Sequence, residues 1–295
     1  MVRKILAAVD GTSASESILP YLESLLRCQD ADVTFVRVVP QESANALQKA
    51  YLYLNRLVSA MTRKGAVTAS HVLSGRPAAR IVDYAVQGKY DLILMGSRGK
   101  KGLKRFLLGS VAEEVLRHSP VPVLVVHPPG RNAGEIGLRR ILVPLDGSHR
   151  SASILPAVAT LAKATGAKLI FATVVDPRSR EDYPVEVVAK NLFKEQKDLH
   201  RAGLSTELCI RFGDAAAEIL ALGQAMEVDL IALSTHGRTG LERARYGSVT
   251  ESILRDGKSP LLVLRTAGKF VSDPIHAPEI RARRQRQRQE AAAKV

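Results

Sequence analysis

Leu92-Ile93-Leu94-Met95-Gly96-Ser97-Arg98-Gly99-Lys100-Lys101-Gly102-Leu103-Lys104-Arg105-Phe106-Leu107-Leu108-Gly109-Ser110 runs from an apolar segment, through a glycine-punctuated basic loop, into Val111-Ala112-Glu113-Glu114-Val115-Leu116. Strand, loop, then helix is the order in which backbone N–H groups become available to an anion, because the first turn of a helix has no intrahelical acceptors. Gly96, Gly99 and Gly109 each permit a positive φ or a close backbone approach. Ser110 opens the helix, where the macrodipole favours negative charge. The stretch predicts an α/β fold with a phosphate site at the carboxyl end of a strand. A competing reading makes Ser110 and Glu113 a capping box, in which the serine satisfies the helix end and no ligand is needed.

Working outward, the chain repeats itself. Arg3-Lys4-Ile5-Leu6-Ala7-Ala8-Val9-Asp10-Gly11-Thr12 aligns with Arg139-Arg140-Ile141-Leu142-Val143-Pro144-Leu145-Asp146-Gly147-Ser148 at an offset of 136. Tyr90-Asp91-Leu92-Ile93-Leu94 aligns with Val228-Asp229-Leu230-Ile231-Ala232, and Gly109-Ser110-Val111 with Gly247-Ser248-Val249, both at an offset of 138. Two copies of one domain follow, at 1–128 and 138–267, joined by a Pro/Gly-rich linker at 129–137 and followed by a basic tail at 268–295. In the first copy, strands are expected near 3–9, 32–39, 67–73, 91–95 and 121–127, with helices near 14–27, 43–63, 77–87 and 111–118. In the second, strands are expected near 139–145, 168–175, 205–212, 229–234 and 260–265. Strands rich in Val, Ile and Leu without alternation imply a parallel sheet covered by helices on both faces.

Composition narrows the function classes. The 295 residues are 46% hydrophobic and 24% charged, an ordinary globular balance for roughly two domains. Aromatics make up 4%, with no Trp, which disfavours base stacking on the folded part. The net charge is +14, of which residues 278–295 supply +4, so the folded body is itself basic and suited to anionic ligands. The tail has too few apolar residues to offset the entropy of ordering it, and disorder or a lone solvated helix is expected there. Two cysteines, Cys28 and Cys209, form no metal or disulfide pattern. No apolar run approaches a membrane span or a signal peptide, and a cytoplasmic protein is expected.

The spacing Gly-x2-Gly-x9-Gly-Ser made by Gly96, Gly99, Gly109 and Ser110 resembles the nucleotide-binding motif of universal stress protein domains. Val9-Asp10-Gly11-Thr12-Ser13 and Ser119-Pro120-Val121-Pro122-Val123-Leu124-Val125-Val126 resemble that family too, and the likeness covers both repeats. It implies a Rossmann-like five-stranded parallel sheet of order 3-2-1-4-5 in each repeat, binding ATP, or AMP or ADP, at the carboxyl ends of the strands. By matching positions, Asp10 would lie beside the ribose and phosphates or a magnesium ion, and the backbone at Val38 and Val39 would meet adenine. Gly96, Gly99, Gly109, Ser110 and Val111 would cradle the phosphates. Asp10 also reads as ordinary turn chemistry in Asp-Gly-Thr.

Asp146, Val174, Val175, Gly237, Gly247 and Ser248 are the second-copy counterparts, but Ser234 stands where the first glycine belongs. If the position requires positive φ or room for the ligand, a side chain there would cost about 1 kcal/mol or more in backbone strain, so a weakened but not necessarily absent second site is expected. The resemblance further implies an intrachain pseudo-dimer through strands 121–127 and 260–265, with homodimerisation as an additional expectation. The functional expectation is a regulatory ATP-binding protein whose occupancy is a signal. Slow ATP hydrolysis or another nucleotide-dependent enzyme activity, and docking of the Arg-rich tail on nucleic acid or an acidic partner, are the competing expectations.

Overall fold

The computed structural model describes residues 2–40, 43–97, 108–127, 136–177, 185–235 and 247–265, the side chains of 185–191 excepted. The first half comprises β1 (Lys4–Ala8), α1 (Ser13–Glu16), α2 (Leu19–Cys28), β2 (Asp32–Val39), α3 (Ala44–Arg63), β3 (Val67–Ser74), α4 (Pro77–Gln87), β4 (Leu92–Gly96), α5 (Ser110–His118) and β5 (Val123–Val126). The second comprises β6 (Arg140–Pro144), α6 (His149–Ala152), α7 (Leu155–Thr165), β7 (Lys168–Val175), α8 (Val185–Arg201), β8 (Thr206–Phe212), α9 (Ala215–Ala225), β9 (Leu230–Thr235), α10 (Ser248–Asp256) and β10 (Leu261–Arg265). The basic tail, and with it the expectation of a nucleic-acid or acidic partner, lies outside the described residues.

The strands form one sheet of ten, in the order β3-β2-β1-β4-β5-β10-β9-β6-β7-β8. Each half keeps the order 3-2-1-4-5, all parallel, and the halves join through β5 and β10, which pair antiparallel with Leu124 opposite Leu262. Successive residues bury on opposite faces: Ile5 and Ala7 belong to one core, Leu6 and Ala8 to the other. That is why the strands read as unbroken apolar runs. Both cores cross the junction, since Leu124 and Leu262 share one and Val125 and Val263 share the other. Because the junction is antiparallel, the carboxyl ends of the strands in the two halves point in opposite directions.

The helix expected over 14–27 is two helices, α1 and α2, and the same break separates α6 from α7. Pro20 and Pro156 sit in the first turns of α2 and α7, where a proline has no N–H to continue the preceding ladder. One repeated residue fastens each half at its other end. Asp91 Oδ2 accepts the backbone N–H groups of Arg3 and Lys4 at 2.7 and 2.9 Å, and Asp229 does the same for Arg139 and Arg140 at 2.8 and 2.9 Å. No helix among the described residues is long and apolar enough to cross a membrane.

Candidate functional site

In the first half, β1 lies between β2 and β4, with Ala8 opposite both Val36 and Met95. This is where strand order reverses, and the crevice beyond such a point is where open α/β sheets receive ligands. Asp10 follows β1, Val38 and Val39 close β2, Gly96 closes β4, and Gly109 and Ser110 begin α5. Asp10 Oδ1 accepts from the Thr12 backbone N–H at 2.9 Å and from Thr12 Oγ1 at 2.6 Å, so the turn chemistry read from Asp-Gly-Thr is present. Val39 is buried, while Val38 and Val111 are half-buried and Ser110 is exposed. Gly99 and Gly237 lie outside the described residues, as do Lys100, Lys101, Lys104, Arg105 and His236.

The capping-box reading does not hold. The N-caps are Gly109, at φ −68° and ψ 147°, and Gly247, at φ −55° and ψ 147°, neither with a side-chain cap. Ser110 and Ser248 are each the first helical residue, one position too late for a serine to fold back on the third N–H. Glu113 instead pairs with Arg117 at 2.8 Å. The physical reason is the extended backbone of the glycine, which ends the loop one residue earlier than the serine-to-glutamate spacing suggests.

Of the two readings of Gly96, a positive φ or a close backbone approach, the structure shows the second: neither Gly96 nor Gly109 is among the residues with positive φ. Gly96 is required by a close approach within the protein. A Cβ on it would collide with the carbonyl oxygen of Ala14 in α1 and come within 3.1 Å of Ser15 Cα. In the second half, Ser234 occupies this place, and its hydroxyl donates at 2.7 Å to the carbonyl of Arg150, the counterpart of Ala14. The serine is accommodated by a hydrogen bond, so backbone strain gives no reason for the second site to be weaker. Gly96→Ala is expected to lower unfolding stability in urea by about 2 kcal/mol through overpacking. Ser234→Ala, which loses only one hydrogen bond, is expected to cost about 1 kcal/mol.

The second half contains a cleft of ≈ 270 Å³ at the carboxyl ends of β6, β7 and β9. Asp146, Val174, Gly247 and Ser248 line it together with Ser151 and Ser234. Val175 is half-buried beside it but is not part of the lining. Burial alone would raise the pKa of Asp146, but hydrogen bonds from Ser148 and Ser151 outweigh that and hold it below the ordinary carboxylate value. The cleft therefore presents a carboxylate at one side and the uncapped start of α10 at the other. Hydrogen-bond acceptance and hydrogen-bond donation are both available to one small molecule.

A pair that sequence reasoning missed lies at the root of the first loop. Ser97 directly follows Gly96 and His127 directly follows β5. Both are buried, and Ser97 Oγ lies 2.7 Å from His127 Nδ1. Burial pushes the His127 pKa down to about 4. The second half has Thr235 and Arg265 at these places.

Three comparisons bear on this geometry. The profile of the Universal stress protein family matches residues 1–127 and 137–265. A universal stress protein of Methanocaldococcus jannaschii is 34% identical over 143 residues, covering 44% of this chain and 84% of that protein. One of Bacillus subtilis is 31% identical over 147 residues, covering 43% of this chain and 99% of that protein. Each thus matches about one half of the chain. Among solved structures, a universal stress protein of Archaeoglobus fulgidus superposes with a TM-score of 0.75 at 22% identity, covering 90% of this chain and 99% of that one, and shares the fold. With both halves matched by the profile, the chain belongs to the universal stress protein family, as a tandem member carrying two such domains.

Proposed function

We propose that the chain binds an adenine nucleotide, ATP foremost, at the carboxyl ends of its strands, with the first repeat as the principal site and occupancy acting as the signal. The observation that carries this reading is the cleft of the second half, which brings Asp146, Val174, Gly247 and Ser248 around one space, with the first-half counterparts on matching elements. Its ≈ 270 Å³ is just under the roughly 300–1,000 Å³ of drug-sized ligand sites. The starts of α5 and α10, without side-chain caps, offer N–H groups to phosphate oxygens. The first repeat keeps the full glycine spacing, which supports its ranking.

Magnesium is part of the same proposal. Among the described residues no three acidic, His or Cys side chains gather into a metal group. A single carboxylate such as Asp10 suits an ion that arrives already bound to phosphates, because magnesium commonly takes one or two carboxylates plus substrate oxygens.

The test is to denature the purified full chain, identify any released nucleotide by mass spectrometry, and titrate the stripped protein with ATP and AMP. Bound or rebinding adenine nucleotide is expected in the wild type and not at the first site of Gly109→Val. The φ and ψ of Gly109 are open to any residue, so a branched side chain there crowds the start of α5 without straining the backbone. An empty wild type that ignores added nucleotide overturns the proposal.

A further inference from the structure

The two halves differ beside the loop that carries the first aspartate. Position 37 in β2 aligns with position 173 in β7 at the offset of 136. In the second half this is Thr173, buried, its Oγ1 donating to the Leu145 carbonyl at 2.9 Å. In the first half it is Arg37, half-buried, with its guanidinium carbon 5.2 Å from the centre of the Tyr53 ring on α3. The guanidinium reaches over the turn after Asp10, where a Cβ built on Gly11 would lie 3.3 Å from Nη1. Gly11 has φ +90°, a conformation that suits glycine and leaves this approach open.

The ring that holds Arg37 is itself held. Arg56 lies 5.7 Å from the same ring, on its own ion pair with Glu16 at 3.6 Å. Burial first, then the charge of Glu16, raises the Tyr53 pKa, so its hydroxyl stays protonated. That hydroxyl is buried against Glu16 and Ser15. Arg37 is fixed by a stacking contact, yet no hydrogen bond or ion pair to a described residue occupies its donors. A guanidinium oriented in advance with unspent N–H groups matches the oxygens of a phosphate, and pre-positioning reduces the entropy lost when they meet. Ser15 ties this cluster to the cleft: its hydroxyl accepts from the Asp10 N–H at 3.2 Å, and its counterpart Ser151 lines the cleft of the second half.

We propose that Arg37, held over the Tyr53 ring, is a specificity residue of the first site, taking an anionic phosphate oxygen of the ligand. The first half then selects phosphorylated over unphosphorylated adenosine, a selection that the second half, with Thr173, does not make. This rests on the nucleotide reading above and adds to the glycine spacing a second basis for ranking the sites.

The test titrates the full chain calorimetrically with ATP and, separately, with adenosine, at low and high salt. Arg37→Thr is expected to weaken ATP binding at one site about tenfold, the worth of one charge-assisted hydrogen bond, and to flatten its salt dependence. Adenosine binding is expected to change less than about twofold on the same grounds. Arg37→Lys, which keeps the charge and loses the planar fork, is expected to retain part of the preference for ATP. Equal losses for ATP and adenosine in Arg37→Thr, or ATP binding as tight as wild type, overturn the role of Arg37 and leave the nucleotide reading standing. A wild type that binds neither probe overturns both.

Discussion

Leu124→Asp is expected to lower the unfolding free energy by about 4 kcal/mol or more, the scale of an unpaired buried charge. Leu124 is 1% exposed in the middle of the ten-stranded sheet, opposite Leu262 at 3%, and no cation pairs with that position. Leu124→Ala is expected to cost roughly 2–5 kcal/mol, as other buried leucines do. The informative measurement is the double-mutant cycle with Leu262→Ala in urea. Side chains in contact couple by about 0.5–3 kcal/mol, whereas independent sites add within about 0.5 kcal/mol. Strict additivity would mean that the halves are not held together by β5 and β10 in solution.

Acid is expected to weaken the wild type through His127. Its pKa lies at about 4 in the folded chain against 6.5 for an ordinary histidine, because burial penalises the charged ring. The unfolded chain therefore binds the extra proton first as pH falls, and stability that is fully present above pH 6.5 drains away towards pH 4. Fully expressed, a shift of this size is worth roughly 3 kcal/mol. Urea unfolding at pH 7, 5.5 and 4.5 reads it directly. His127→Gln, which can keep a hydrogen bond to Ser97 without titrating, is expected to have a visibly shallower pH slope than wild type. Parallel slopes for the two proteins would show that burial does not lower the His127 pKa in the folded chain.

Much of the fold is legible in the residues. The offsets of 136 and 138 reveal the duplication, and the unbroken apolar runs reveal strands covered on both faces. Pro20 and Pro156 signal the split helices to a reader who asks which N–H is missing. The site is less legible, for reasons that Gly96 makes concrete. A ligand and a neighbouring helix both exclude a Cβ, so a glycine cannot say which of them is close; here it is Ala14. Ser110 misleads similarly, because Ser-x-x-Glu spacing is the same whether the serine or the glycine before it ends the loop. The pairs Ser97 with His127 and Arg37 with Gly11 and Tyr53 are made by tertiary proximity alone, and no local spacing announces them.

The antiparallel ladder between β5 and β10 lets the two halves diverge independently while they stay joined. Two separate copies meeting through such a ladder would assemble only above some concentration, and any substitution would enter both clefts together. Carried on one polypeptide, the second half meets the first at an effective concentration on the order of millimolar, whatever the abundance of the protein. The ladder is then independent of expression level. Each half is also free to change alone, as Arg37 against Thr173 and His127 against Arg265 already record. Because the carboxyl ends of the strands face opposite ways in the two halves, a rigid flat partner laid across one of these ends meets only one half's loops.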